Sequence, residues 1–250
     1  MLHTVLDSIQ NLRARRCLTG SRYRDQLGDL PPGLAAYWAA SASREFPGIP
    51  RDALFFARAS EALMEFFDCV AGAGKPCALP SKAADSVWHA WLRYSPMTLQ
   101  QFCMKHCKRL IPHVEAAAMP GRMDDALANC LVAARRLNGL PAASATVPRV
   151  FSADHRLRMP HGYAYRVVGN RIGVSDMDAH GRRHAHESFP GRFMPAALLS
   201  SGLIVDSEVP PERTGGASSC NGGAGGGGDS CDASSCGSSC GGGCGGGGGD

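Results

Sequence analysis

Apolar positions recur at helical spacing through the first 140 residues of the chain. Val5, Ile9 and Leu12 mark an opening helix. Gly33 to Phe46 carries Leu34, Tyr37, Trp38 and Phe46 and stops before Pro47-Gly48. Pro50 opens a long apolar helix with Leu54, Phe55, Leu63, Phe66 and Phe67, which Gly72 to Gly74 end. Ser81 reads as the N-cap of a helix running to Arg93. Ser95-Pro96 starts another, a serine cap with proline at the first helical position, reaching about Leu110 before Pro112. A last helix spans Met123 to Leu137, with Gly139 and Pro141 behind it.

After residue 140 the period changes. Two β-prone runs from Tyr163 to Val174 flank Gly169-Asn170, the pattern of a hairpin. A loop with His180, His184 and His186 follows, then an apolar stretch from Phe193 to Val205. Beyond Pro210-Pro211, the segment from Gly215 to Asp250 holds 17 Gly, 7 Ser and 5 Cys and no aromatic or branched aliphatic residue. Nothing apolar offsets its chain entropy, so it is predicted to be disordered. The pattern thus predicts a mainly α fold. A helical orthogonal bundle covers residues 1–140, a small β-containing appendage 141–210, and a disordered Gly/Ser/Cys-rich tail 211–250.

Charge narrows the partners. All 26 Lys and Arg precede Gly215 and face 19 acidic residues there, a net charge of +7, while Asp229, Asp232 and Asp250 make the segment from Gly215 onward −3. That gives weak attraction to anions. The basic residues are scattered apart from Arg13, Arg15, Arg16 and Arg182, Arg183, with no basic stripe interleaved with aromatics, so nucleic acid is not favoured. The N-terminal stretch lacks the apolar core of a signal peptide, and no run approaches the ~18 apolar residues of a membrane span. No membrane partner and a cytoplasmic location are expected. Six irregularly spaced cysteines before the tail and five within it fit reduced thiols better than a disulfide framework.

The most concentrated chemistry is Asp85, Trp88 and His89, followed by Phe102-Cys103, His106, Cys107 and His113. Asp85 and His89, four apart on a helix, point the same way, at the rim of a stripe formed by Ala84, Trp88 and Trp91. A thiolate, imidazoles and one carboxylate suit zinc or another divalent metal, with Asp85, His89, Cys103 and His113 as the candidate ligands. Neither a CxxC pair nor an HExxH helix is present. Two other readings of these residues stand beside the metal site. In a purely structural one, Asp85–His89 is a local helix hydrogen bond, Cys103 and Cys107 are small core residues, and His113 caps a helix end. In an enzymatic one, Cys103 is a nucleophile with His89 or His113 as base. His106 shares a stripe with Leu99, Phe102 and Leu110 and reads as a core residue.

Asp85-Ser-Val-Trp-His89, Phe102-Cys103 and His113 together resemble the motif of the glycine-rich-domain-protein-like family, a D-x-x-W-H helix followed by a cysteine-bearing helix and a histidine. Val147-Pro-Arg-Val-Phe151 with Asp154, before Gly162-Tyr163, is similar to a downstream element of its bacterial relatives. The likeness covers about residues 40–165. It implies a largely helical domain, often joined to Gly-rich sequence, and no particular reaction. Plant members often read W-H-x-H, whereas Trp91 occupies the second histidine position here, which removes one expected ligand.

Two further segments carry chemistry of their own. His184 and His186 would share a face in a strand and offer a metal pair, but Arg182 and Arg183 beside them oppose a cation and favour a solvated loop. In the tail, Cys220, Cys231, Cys236, Cys240 and Cys244 offer thiolates to soft metal ions such as zinc or copper(I), or to thiol partners. Gly-flanked Cys and Ser also resemble the core of azole-modified peptide precursors, and an unmodified tether is the third reading of the tail. The sequence as a whole reads as a cytoplasmic binding or scaffold protein holding a divalent metal. An enzyme using the same site, or a protein whose tail is the metal-binding or modified part, are the alternatives.

Overall fold

The computed structural model describes residues 2–114 and 122–209, with side chains from residue 8 onward. The tail and its five cysteines lie outside the described residues, as does the side chain of Val5. Within them the chain is mainly helical, with one two-stranded antiparallel hairpin near the C-terminal end. The helices are α1 (Leu2–Gly20), α2 (Arg24–Gly28), α3 (Leu34–Ser41), α4 (Ala53–Ala73), α5 (Lys82–Tyr94), α6 (Pro96–Cys107), α7 (Met123–Leu137), α8 (Arg149–Leu157) and α9 (Pro195–Ser200). The strands are β1 (Tyr163–Val168) and β2 (Arg171–Asp176).

Helix α4 is the hub and touches α1, α2, α5, α6, α7 and α8. Its sequence is apolar on most of its circumference, and Phe55, Leu63, Met64, Phe66, Phe67 and Val70 are all buried. It starts at Ala53 rather than at Pro50, because Asp52 accepts from the amides of Leu54 and Phe55, both at 3.0 Å. Helix α3 docks on α5 through Trp38, whose indole N–H donates to Ser86 Oγ at 3.0 Å.

Three local expectations are corrected. The helix after Gly33 ends at Ser41 and continues only as a 3₁₀ turn to Arg44. Helix α6 stops at Cys107, where Lys108 takes a left-handed conformation (φ +57°), and Leu110 is exposed. The Ile9 and Leu12 stripe of α1 faces outward; the helix packs instead through Ala14 and Cys17 against Ala57. Helices α2 and α8 carry no stripe long enough to have signalled them in the sequence.

The hairpin pairs Tyr163 with Asp176 through Val168 with Arg171 and turns at Gly169-Asn170, with Gly169 at φ +60°. Tyr165 packs edge-on against Phe151 of α8, and Phe193 closes over both rings. Tyr165 and Ile172 therefore belong to the same hydrophobic cluster as Trp38, Phe67 and Trp91. The helical and β-containing parts, distinct in sequence texture, share one core.

Candidate metal centre

Helix α5 carries the site, and its start is fixed by a residue far away in sequence. Asp154 of α8 is fully buried, and its carboxylate accepts four hydrogen bonds. Oδ1 takes those of Ser81 Oγ (2.7 Å) and the Ala83 amide (2.9 Å). Oδ2 takes those of the Lys82 amide (3.0 Å) and the Tyr163 amide (3.1 Å). Ser81 Oγ in turn accepts from the Ala84 amide. The first-turn amides of α5 are all satisfied, and the negative charge lies at the positive end of the helix. Burial pushes the Asp154 carboxyl above the usual range, against donors that each favour the anion. Gly162 lets β1 start here, because a Cβ at that position would meet Asp154 Oδ2 at 2.8 Å.

On this anchored helix Asp85 and His89 face the same side, and the loop after α6 brings His113 to them. His89 Nε2 lies 3.0 Å from His113 Nε2 and 3.6 Å from Asp85 Oδ1, and His113 Nε2 lies 3.1 Å from that same oxygen. Among the described residues these three form the one group of at least three His, Cys, Asp or Glu side chains close enough to share a cation. Ions ligated at about 2.0–2.2 Å hold neighbouring donors about 2.8–3.6 Å apart at tetrahedral to octahedral angles, and all three separations fall in that range. Behind the triad, His89 Nδ1 meets Glu45 Oε2 at 2.7 Å, and Glu45 is itself paired with Arg93. With Nδ1–H donating to Glu45, the His89 Nε2 lone pair points inward, the arrangement that carboxylates impose on metal-binding histidines. Phe46 packs on the His89 ring, and Trp88 meets the His113 ring edge-on with centroids 4.6 Å apart. A proton among Asp85, His89 and His113 satisfies two of the three inward-facing groups, whereas a cation satisfies all of them.

The triad is half-buried and opens into a cleft of about 1400 Å³. Its walls are α5 with the loop from Ile111 to Val114, the start of α7, and the hairpin with the following loop that carries His184 and His186. The indole N–H of Trp88, in the α5 wall, has no acceptor among the described residues.

Cys103 is not part of this group. It is turned into the core, where its thiol hydrogen-bonds with that of Cys107, and this contact pushes Cys107 up. It does not line the cleft, so it stands neither as a ligand nor as a nucleophile beside His89 or His113. His113 caps none of the described helices, and Asp85–His89 is one edge of a three-residue cluster rather than an isolated helix pair. His106 is held by Asp29 at 2.6 Å. Trp91, in the expected second-histidine position, is buried and donates to Thr98 Oγ1 at 3.0 Å. Glu45 and Arg93 escaped the sequence reading. Glu45 follows a 3₁₀ turn and lies 44 residues from His89, with no pattern to connect them.

A family model described as UCP032817-like matches residues 52–185, more than half of the chain. The match spans α4 through the hairpin and so includes Asp85, His89, His113 and Asp154, while Glu45 precedes it. No curated protein and no solved structure matches the chain.

Proposed function

We propose, from the premise that the chain belongs to the UCP032817-like family, that it binds a borderline divalent metal ion, zinc in first place, through Asp85, His89 and His113. The observation that carries this reading is the convergence of three ligand atoms with Glu45 behind one of them. Three protein ligands beside an open cleft are the layout of a site that keeps a coordination position for a guest, whereas structural zinc sites are closed by four. A metal so held polarises a bound oxygen or lowers the pKa of bound water. The residues of this chain fix the ligand geometry and shape the space in front of it. The likeness of Asp85–His89 and His113 to the glycine-rich-domain-protein-like motif supports the reading, since the triad uses that motif's aspartate and both its histidines. The free thiols of the six cysteines before the tail agree with the cytoplasmic expectation, and no described helix is long and apolar enough to cross a membrane.

Elemental analysis of the full chain purified under reducing conditions, with Zn²⁺ and Co²⁺ titrations, tests the proposal. One equivalent of metal lost in both His89→Ala and His113→Ala is the expected result. No metal in the wild type under either condition overturns it, and so does undiminished retention in both variants.

A further inference from the structure

We propose that the guest of this metal site is a small molecule bearing an oxyanion, a carboxylate or phosphate, and that Lys82 is the residue that receives it; the inference rests on the metal reading above. Lys82, Asp85 and His89 occupy positions i, i+3 and i+7 of α5 and line the same cleft. At 1.5 Å rise per residue, the Lys82 backbone stands about 4.5 Å along the axis from that of Asp85. An anionic group bridging the ion and the ammonium needs a separation of this order.

The charge inventory points the same way. The Lys82 ammonium sits over the Tyr163 ring, 4.9 Å from its centroid, and has no carboxylate partner among the described residues. Arg109 also lines the cleft and makes no ion pair among the described residues. Of the described acids in the walls, Asp124 is paired with Arg122, and Asp85 is engaged by the ion, leaving Asp176 on β2. Glu45 is neutralised by Arg93. A divalent ion carrying one carboxylate adds a further positive charge, so the loaded cleft attracts anions. The amides of the α5 N-terminus play no part, because Asp154 already fills them. Recognition therefore falls to side chains, with Lys82 foremost. Trp88, Ile111 and Pro112 on the same wall provide an apolar surface for the remainder of the molecule, and the cleft is far larger than a bare oxyanion requires.

The test uses the full chain loaded with Co²⁺, whose visible spectrum reports changes at the ion. Inorganic phosphate and acetate are titrated separately into the wild type, Lys82→Met and Lys82→Arg. Cobalt content is checked by elemental analysis and folding by circular dichroism. We expect at least one of the two anions to shift the spectrum. Lys82→Met should weaken that anion about tenfold or more without changing cobalt affinity, and Lys82→Arg should restore most of the loss. Which anion binds more tightly separates a phosphate from a carboxylate guest. Cobalt binding with an anion affinity indifferent to Lys82, or with no response to either anion, overturns this inference and leaves the metal site standing. Failure of the wild type to bind cobalt overturns both.

Discussion

Replacing Asp154 by asparagine probes the joint on which the candidate site depends. The side chain keeps its shape, but one carboxylate oxygen becomes an NH₂ group. One half of the original hydrogen bonds survives, those donated by Ser81 Oγ and the Ala83 amide or those donated by the Lys82 and Tyr163 amides, according to how the amide is turned. The other two donors then face a third donor. A buried donor left without an acceptor costs about 1–3 kcal/mol, so two of them cost about 2–6 kcal/mol. Asparagine also removes a charge whose burial is unfavourable, which offsets part of the loss. The net expectation is about 2–4 kcal/mol of destabilisation, equivalent to roughly 5–15 °C in Tm for a chain of this size. Urea denaturation followed by circular dichroism and tryptophan fluorescence measures it. Asp124→Asn, whose carboxylate has a surface pair with Arg122 at 3.8 Å as its one ion pair among the described residues, serves as control and should move stability by less than about 0.5 kcal/mol. A loss below about 1 kcal/mol in Asp154→Asn would refute the claim that this carboxylate fixes the start of α5 and of the hairpin.

Three further outcomes follow from the same geometry. Glu45→Gln should leave the circular dichroism spectrum unchanged and weaken Zn²⁺ binding about 10–100-fold in a chelator competition, because the orienting charge behind His89 is lost; undiminished affinity counts against that role. Cys103→Ala should cost about 1–2 kcal/mol in urea, as a buried sulfur is removed, yet bind zinc with affinity within about threefold of the wild type; loss of zinc would return Cys103 to the ligand set. Glu65 is buried, accepts from Asn138 Nδ2 at 2.8 Å, and has its carboxyl pushed up by burial. Its folded pKa exceeds the unfolded one, so its contribution is most favourable below the unfolded pKa and declines as pH rises through the folded one. Glu65→Gln should therefore gain stability relative to the wild type between pH 4 and pH 7, and a variant that loses stability relative to the wild type over that range would contradict the assignment.

Elements written by neighbouring residues were legible from the chain alone. The bond from the Ala84 amide to Ser81 Oγ, the Pro96 start, the Gly74 stop and the Gly169-Asn170 turn are decided by backbone conformations and hydrogen bonds within a few residues. The alignment of Asp85 with His89 is likewise a property of one helical turn. Periodicity says that a helix has an apolar face, but not which edge of that face a neighbour covers. On α6 the edge bearing Cys103 and Cys107 went into the core, and His106 was left to meet Asp29. What completes the site comes from outside α5. His113 arrives on a loop, Glu45 just past the 3₁₀ turn after α3, and Asp154 reaches the α5 N-terminus across more than 70 residues. These groups meet because the helices around α4 and the hairpin bury one shared core, and burial is a property of the packed whole. Sequence alone set the candidate residues and the local frame of α5; packing decided which of those residues converge, and so separated His113 from Cys103.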